Sequence, residues 1–266
     1  MQQTTIDWCR NPDGTGGYSW NPVTGCRHGC PYCYGQGIAN RFYGGDFNPK
    51  FHPERLTQPY TKSPSMVFLG SVSDMFGKWV EQMWWDKILK VILDNPQHIF
   101  ATLTKDPERI RSYLDINKLP PNLWLGTTVE SEDLAKRLAW IRNPYVDVKG
   151  ARFVSFEPLQ GRFESDLDLE GIDWVIIGQE TGNRKGKISA QKEWVTELAS
   201  IATDYGIPVW MKNNLIPMIA KDELLREMPT DWNNWLKPVI KADDILDGRG
   251  ELEAGELHAK DMAFLR

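Results

Sequence analysis

Three cysteines stand close together in the segment Gly25-Cys26-Arg27-His28-Gly29-Cys30-Pro31-Tyr32-Cys33-Tyr34, a C-x3-C-x2-C spacing inside one loop broken by glycine and proline. A loop this short can wrap its sulfurs around one small inorganic body. A cubane iron–sulfur cluster has four irons to hold, so three thiolates leave one iron free for a small molecule. An open metal position marks a site of chemistry, whereas a closed one is structural. Cys9, in Trp8-Cys9-Arg10-Asn11-Pro12-Asp13-Gly14, offers a fourth thiol. Four thiolates around one zinc would make a closed structural site, and the long gap to Cys26 does not forbid it. Cys9 also reads as a small buried hydrophobe. His28, between the first two cysteines, reads as a solvent-facing loop residue, since three thiols already serve the metal.

The spacing, followed by an aromatic residue, resembles the signature of the radical S-adenosylmethionine (radical SAM) family. The surrounding words Tyr18-Ser19-Trp20-Asn21-Pro22-Val23-Thr24-Gly25-Cys26 and Cys33-Tyr34 look like an uncharacterised phage-associated branch of that family. The branch often has a longer gap between its first two cysteines; here the gap has the standard length. The likeness is sharp over residues 1–45 and continues as a strand-and-helix pattern toward residue 215. It implies that Cys26, Cys30 and Cys33 bind three irons of a [4Fe–4S] cluster and that the open iron chelates SAM. Reductive cleavage of SAM would then give a 5′-deoxyadenosyl radical that removes hydrogen from a substrate. Tyr34 would pack beside the cluster and the adenine. The family's Gly-Gly-Glu-like segment, which holds the SAM amino group, has no counterpart in wording. Gly70 to Asp74 takes its place, with Ser71, Ser73 and Asp74 as candidates; Asp74 also reads as a helix cap. An electron donor such as flavodoxin or ferredoxin is the implied partner. A distant likeness to the radical lyases that repair DNA photoproducts tilts the substrate toward a nucleotide or nucleic acid. On the residues alone, a zinc-stabilised binding module without turnover remains the alternative.

A loop of this kind needs a scaffold, and the rest of the chain reads as one. Short apolar runs rich in β-formers recur at Met66–Gly70, Ile99–Ala101, Leu123–Gly126, Arg152–Val154, Trp174–Ile177 and Val209–Met211, each ending in polar residues. Helical patterns lie between most of them. Trp79 to Leu93 stops before Pro96. Pro107 to Leu114 has Asp106 as an expected cap, and Ser131 to Ile141 opens on acidic residues that suit a helix N-terminus. Ser189 to Tyr205 has Ser189 as an expected cap and stops at Gly206. Gln160 to Gly171 is acidic and aperiodic and reads as a loop. Alternating strands and helices give a parallel sheet, and strands this apolar are covered on both faces. With a first strand near Tyr18–Thr24, the fold class is α/β: a partial (β/α) barrel of six to seven parallel strands, which is also what the resemblance implies. A doubly wound open sheet is the rival. The barrel domain spans 1–225, with an N-terminal extension and the cysteine loop, and a charged C-terminal appendage spans 226–266.

Barrel active sites form at the C-terminal ends of the strands. That rule brings Ser73, Asp74, Thr102, Thr104, Lys105, Thr128, Glu130, Ser155, Glu157, Gln179, Glu180, Lys212 and Asn213 to one mouth, shared with the cysteine loop. Among these, Thr104, Glu130, Ser155, Glu157 and Lys212 are candidate cofactor ligands. Glu157 would bind ribose hydroxyls or the SAM amine, or else form an internal ion pair with Lys212. The Gly-rich segment Gly14-Thr15-Gly16-Gly17 lacks the lysine and context of a phosphate loop. Thr181 to Lys187 is a basic loop beside the mouth and reads as solvated.

Net charge is −5, with 25% charged and 41% hydrophobic residues. This argues against dominant non-specific DNA binding, while leaving room for a local basic patch. Twelve tryptophans are too many for the surface alone. No apolar run approaches membrane-span length, and the start of the chain lacks the features of a secretory signal, so a cytoplasmic location without membrane contact is expected. Reducing cytosol favours cysteines as ligands over disulfides.

Overall fold

The computed structural model describes residues 1–114, 119–142 and 150–229. The strands are β1 (Gln2–Gln3), β2 (Tyr18–Trp20), β3 (Val23–Thr24), β4 (Lys50–Phe51), β5 (Met66–Leu69), β6 (Ile99–Thr104), β7 (Leu123–Thr128), β8 (Arg152–Phe156), β9 (Trp174–Ile177) and β10 (Val209–Met211). The α-helices are α1 (Tyr34–Phe42), α2 (Gln82–Asp94), α3 (Ile110–Tyr113), α4 (Leu138–Ile141) and α5 (Lys192–Asp204).

Eight strands make one sheet in the order β1-β2-β5-β6-β7-β8-β9-β10, and β3 pairs with β4 as a separate ribbon. Only the β1–β2 pair in the sheet is antiparallel; β2 and β5 to β10 run parallel. The order follows the chain without a reversal. Right-handed crossovers then place every connection on the same face, and the sheet curls around the other. A doubly wound sheet needs a reversal of strand order, so the fold is the partial barrel, open between β1 and β10.

Strand alternation sorts the core into two layers. Outward residues such as Val67, Leu69, Phe100, Leu123, Leu125, Val154, Val175 and Ile177 join the buried faces of the helices. Trp85, Ile88, Val91 and Ile92 line one side of α2, and Val195, Leu198, Ala199 and Ala202 one side of α5. Inward residues Met66, Phe68, Ile99, Ala101, Trp124, Phe153, Trp174, Ile176 and Trp210 meet in the barrel interior with Trp8 and Cys9 of the N-terminal extension. Each large apolar side chain buried this way contributes roughly 1.5–3 kcal/mol.

Several local expectations shift. Pro107–Arg109 and Glu132–Arg137 are 3-10 turns that become α-helical only at α3 and α4. Asp106 and Ser131 make no side-chain cap; the Ser131 hydroxyl donates to Asp133 instead, at 2.6 Å. Gln191, not Ser189, precedes α5, because Ala190 is packed into the outer core. After β10 the chain returns along the sheet edge: Arg226 bridges Trp210, and the Trp174 indole donates to the Glu227 carbonyl at 2.9 Å. The expected C-terminal appendage lies, from residue 230 onward, outside the described residues. Among the described residues, no helix is long and apolar enough to cross a membrane.

Candidate active site

A cavity of about 570 Å³ opens at the C-terminal ends of the parallel strands, and Cys26, Cys30 and Cys33 all line it. The loop reaches this position through its stem. β3 is pinned by β4, Gly25 N–H bonds to the Val72 carbonyl, Cys26 N–H bonds to the Phe47 carbonyl, and the Ser73 hydroxyl donates to the Gly25 carbonyl at 3.0 Å. Gly25 has φ +86°, and a Cβ there would sit 2.3 Å from the Asn48 carbonyl oxygen, so only glycine fits where the stem passes the segment leading into β4. At the far end Cys33 is the N-cap of α1, its sulfur accepting from Gln36 N–H at 3.4 Å.

Each spacer of the motif carries one anchor into a strand end. In the first, His28 Nε2 meets Asp74 Oδ2 at 2.7 Å, and its ring lies edge-on to Trp79. The expected solvent-facing His28 is therefore corrected: it is half-buried against an acceptor that follows β5. In the second, the Tyr32 hydroxyl donates to Glu130 and accepts from Lys105 Nζ at 2.9 Å. Glu130 also binds Lys105 and, at 2.8 Å, Arg137. The Tyr34 hydroxyl, just after the motif, donates to the Ser71 carbonyl. The three anchors tie the loop to the ends of β5, β6 and β7.

The other candidates divide. Tyr34, Ser71, Ser73, Asp74, Thr104, Ser155, Glu157 and Lys212 line the cavity, as do Lys105, Thr128, Gln179, Glu180 and Asn213. Thr102 does not: it is buried in the middle of β6, whereas Thr104 stands at the strand's C-terminal end. Glu130 sits one layer behind Tyr32 and Lys105. Of the lining side chains, several are already engaged. Ser71 exchanges hydrogen bonds with Asn21, Thr104 accepts from Asp106 N–H, and Asp74 accepts from Lys105 and Phe76 N–H groups at 2.9 Å as well as facing His28. Glu157 pairs with Lys212 and accepts from Asn214. That pair needs Gly178, where a Cβ would stand 2.9 Å from both partners. Glu180 holds Arg184 of the basic loop in a bidentate pair at 2.7 and 2.8 Å, so that arginine is partnered rather than solvated.

Sequence reasoning missed Asp7, Trp8, Asn214 and Arg137. Asp7 accepts from Asn213 N–H and from Arg226 at 3.3 Å, which joins the N-terminal extension to the chain after β10 across the open seam. Trp8 forms part of the cavity lining, packed against Phe68, Trp174 and Phe153. Nothing local in the sequence marks either. Tyr32 was in plain view inside the motif.

Electrostatics follow from burial. Burial pushes the Cys26 thiol up to about 12, with the Asp74 charge and the other two thiols adding to it against a backbone hydrogen bond at His28. Burial raises Cys30 too, with Lys105 opposing. Burial acts to raise Asp74, but His28 and two N–H groups outweigh it and hold the carboxyl below its ordinary value. Glu130 behaves alike: Lys105, Tyr32 and Arg137 overcome desolvation. Such thiols keep their protons until a cation displaces them. Three soft sulfur donors on one cavity wall fit an iron–sulfur cluster. Among the described residues, no three His, Cys, Asp or Glu side chains converge closely enough for a single metal ion. Cys9 does not reach this wall: it is fully buried, with its thiol directed at the Tyr18 and Met66 carbonyls and pushed up to about 12 by burial.

The sheet order and the site at its C-terminal rim define a parallel partial-barrel fold. Two solved structures of spore photoproduct lyase, a radical SAM enzyme, share it. One carries a tyrosine-to-phenylalanine substitution and has a TM-score of 0.52 at 13% identity, covering 75% of this chain and 76% of that one. The other carries a cysteine-to-serine substitution and has a TM-score of 0.52 at 14% identity, covering 79% of each. A family model described as "Protein of unknown function (DUF5131)" matches residues 3–219, and the chain belongs to that family. No curated protein matches it.

Proposed function

We propose that the protein is a radical SAM enzyme. The observation that carries this reading is the presence of all three cysteines of one C-x3-C-x2-C loop on a cavity wall at the C-terminal rim of a parallel partial barrel. When bound, a [4Fe–4S] cluster and SAM supply one-electron cleavage of the sulfonium and a 5′-deoxyadenosyl radical for hydrogen abstraction. The protein's own work is position and exclusion of water. Cys26, Cys30 and Cys33 hold three irons. His28, Tyr32 and Tyr34 fix the loop that presents them. Tyr34 would pack beside the cluster and the adenine, and Ser71, Ser73 and Asp74 would border the SAM amino group. Ser155, Glu157 and Lys212 offer a hydroxyl, a carboxylate and an ammonium to the same cavity, for ribose, amine or carboxylate groups. Trp8 and Phe68 form an apolar lining that keeps water from a radical. Flavodoxin or ferredoxin would deliver the electron, and a nucleotide or nucleic acid is the favoured substrate class.

Anaerobic reconstitution tests this. The expected result is a brown protein with a broad visible band, about four irons per chain, and 5′-deoxyadenosine formed on reduction with SAM. Alanine at Cys26, Cys30 or Cys33 should remove both iron and cleavage. Retention of both by any of the three variants overturns the reading. A colourless protein holding one zinc would favour the non-catalytic module instead, which the burial of Cys9 away from the loop argues against.

A further inference from the structure

We propose that the exposed face of α1 is a docking track for an unpaired polynucleotide strand that enters the cavity. This rests on the cavity being the active site and names the form of its substrate. Helix α1 buries Gly35 and Ala39 but turns Tyr34, Ile38 and Phe42 outward, at 54%, 40% and 64% exposure, followed by Tyr43 at 68%. Tyr34, Ile38 and Phe42 are four apart and share one face, and Tyr43 follows at the helix end. They span about 12 Å along the axis at ~1.5 Å per residue, enough for roughly three nucleotides at ~3.4 Å each. The track starts at the cavity, because Tyr34 and Gly35 line it.

Two cations, Arg41 on α1 and Lys50 on β4, stand near the track against one carboxylate, Asp46, in the turn that follows the helix, in a chain of net charge −5. Arg41 lies over the Phe42 ring at 5.1 Å. Lys50 is exposed on β4, which pairs with the stem of the cysteine loop. Among the described residues, neither Arg41 nor Lys50 forms an ion pair. Aromatic faces interleaved with cations suit bases and phosphates together. A duplex keeps its base faces stacked and offers these rings nothing. An acidic protein would need a closed apolar core, and exposed side chains in a single row along one helix do not make one.

The test is fluorescence anisotropy on the full chain, using labelled oligothymidylate, the same strand annealed to oligoadenylate, and labelled polyglutamate. The single strand should bind tightest, and more weakly as salt rises. The double variant F42A/Y43A should weaken it about tenfold or more, because stacking is worth ~1–3 kcal/mol per base, with the salt slope kept. R41A/K50A should flatten that slope by about 1.4, at ~0.7 per phosphate. Circular dichroism should confirm that both variants are folded, and formation of 5′-deoxyadenosine without nucleic acid should be unchanged in F42A/Y43A. Equal or tighter binding of duplex or polyglutamate, or an affinity indifferent to both variants, overturns the proposal. Strand binding that follows these rules in a protein that never cleaves SAM would instead overturn the enzyme reading and leave the track standing.

Discussion

Glu130 is buried, yet it touches no part of the cavity; its role is exerted through Tyr32 and Lys105. Breaking a fully buried ion pair costs about 3–5 kcal/mol. Lys105 and Arg137 each keep some solvent contact, so E130Q should destabilise by a smaller amount, roughly 2 kcal/mol. The sign of its pH dependence follows from the depressed carboxyl. A group whose folded pKa lies below its unfolded value stabilises fully above the unfolded value and loses that contribution as pH falls through the folded one. The margin of wild type over E130Q in urea melts should therefore be constant above the ordinary value of 4.5 and shrink on acidification below it. A margin that grows as pH falls would show that Glu130 is not held by Lys105 and Arg137. The same logic makes Y32F a positioning test. It should lower iron loading and cluster lifetime in air while leaving the chain folded, since the ring stays and only the hydroxyl anchor is lost.

At the level of elements, the N-terminal extension behaves as a plug. Trp8 fills the interior among Phe68, Phe153 and Trp174, and Asp7 clasps the residues after β10. W8A should cost about 3–5 kcal/mol, the range for a large aromatic removed from a packed core; D7A, which leaves the partly exposed Arg226 unpaired, should cost about 1–3 kcal/mol. A W8A melting point within a degree or so of wild type, where about 2–4 °C per kcal/mol is expected, would mean that the extension does not close the barrel. Strands β5 to β10 were legible because they are buried on both faces and read as apolar runs with polar tails. By contrast, β1 and β4 are two-residue strands with exposed positions and no such run, and Tyr18–Thr24, read as one strand, splits into β2 and β3 of different sheets. Lys105 and Glu130 were legible as tails of β6 and β7. Short helices were misread because apolar residues three apart suit a 3-10 turn as well as an α-helix. His28 was misread because its partner, Asp74, is 46 residues away. Asp7 was invisible because Arg226 lies 219 residues further on. Local pattern carries periodicity and end signals; contacts across a closing seam leave no trace in it.

For the whole molecule, the separate anchors imply that the cysteine loop, the ends of β5 to β7 and the plug form one binding unit. A ligand that spans the cavity should then stabilise the folded chain globally. A ligand at one hundred times its Kd adds about 2.7 kcal/mol. For a chain of 266 residues, at ~2–4 °C per kcal/mol, saturating SAM should raise the melting temperature of the iron-loaded protein by about 5–10 °C. In the proposed function the thiols Cys26, Cys30 and Cys33 would hold the cluster whose open iron takes SAM, so the shift should vanish in the metal-free protein and in C26A, C30A and C33A. It should shrink, without vanishing, in K212A, where one charged group of the cavity lining is lost. Calorimetry under anaerobic conditions measures all of these on one scale. Equal stabilisation of loaded wild type and C33A would mean that SAM binds without the cluster, and the link between the thiols and the rest of the cavity would be broken.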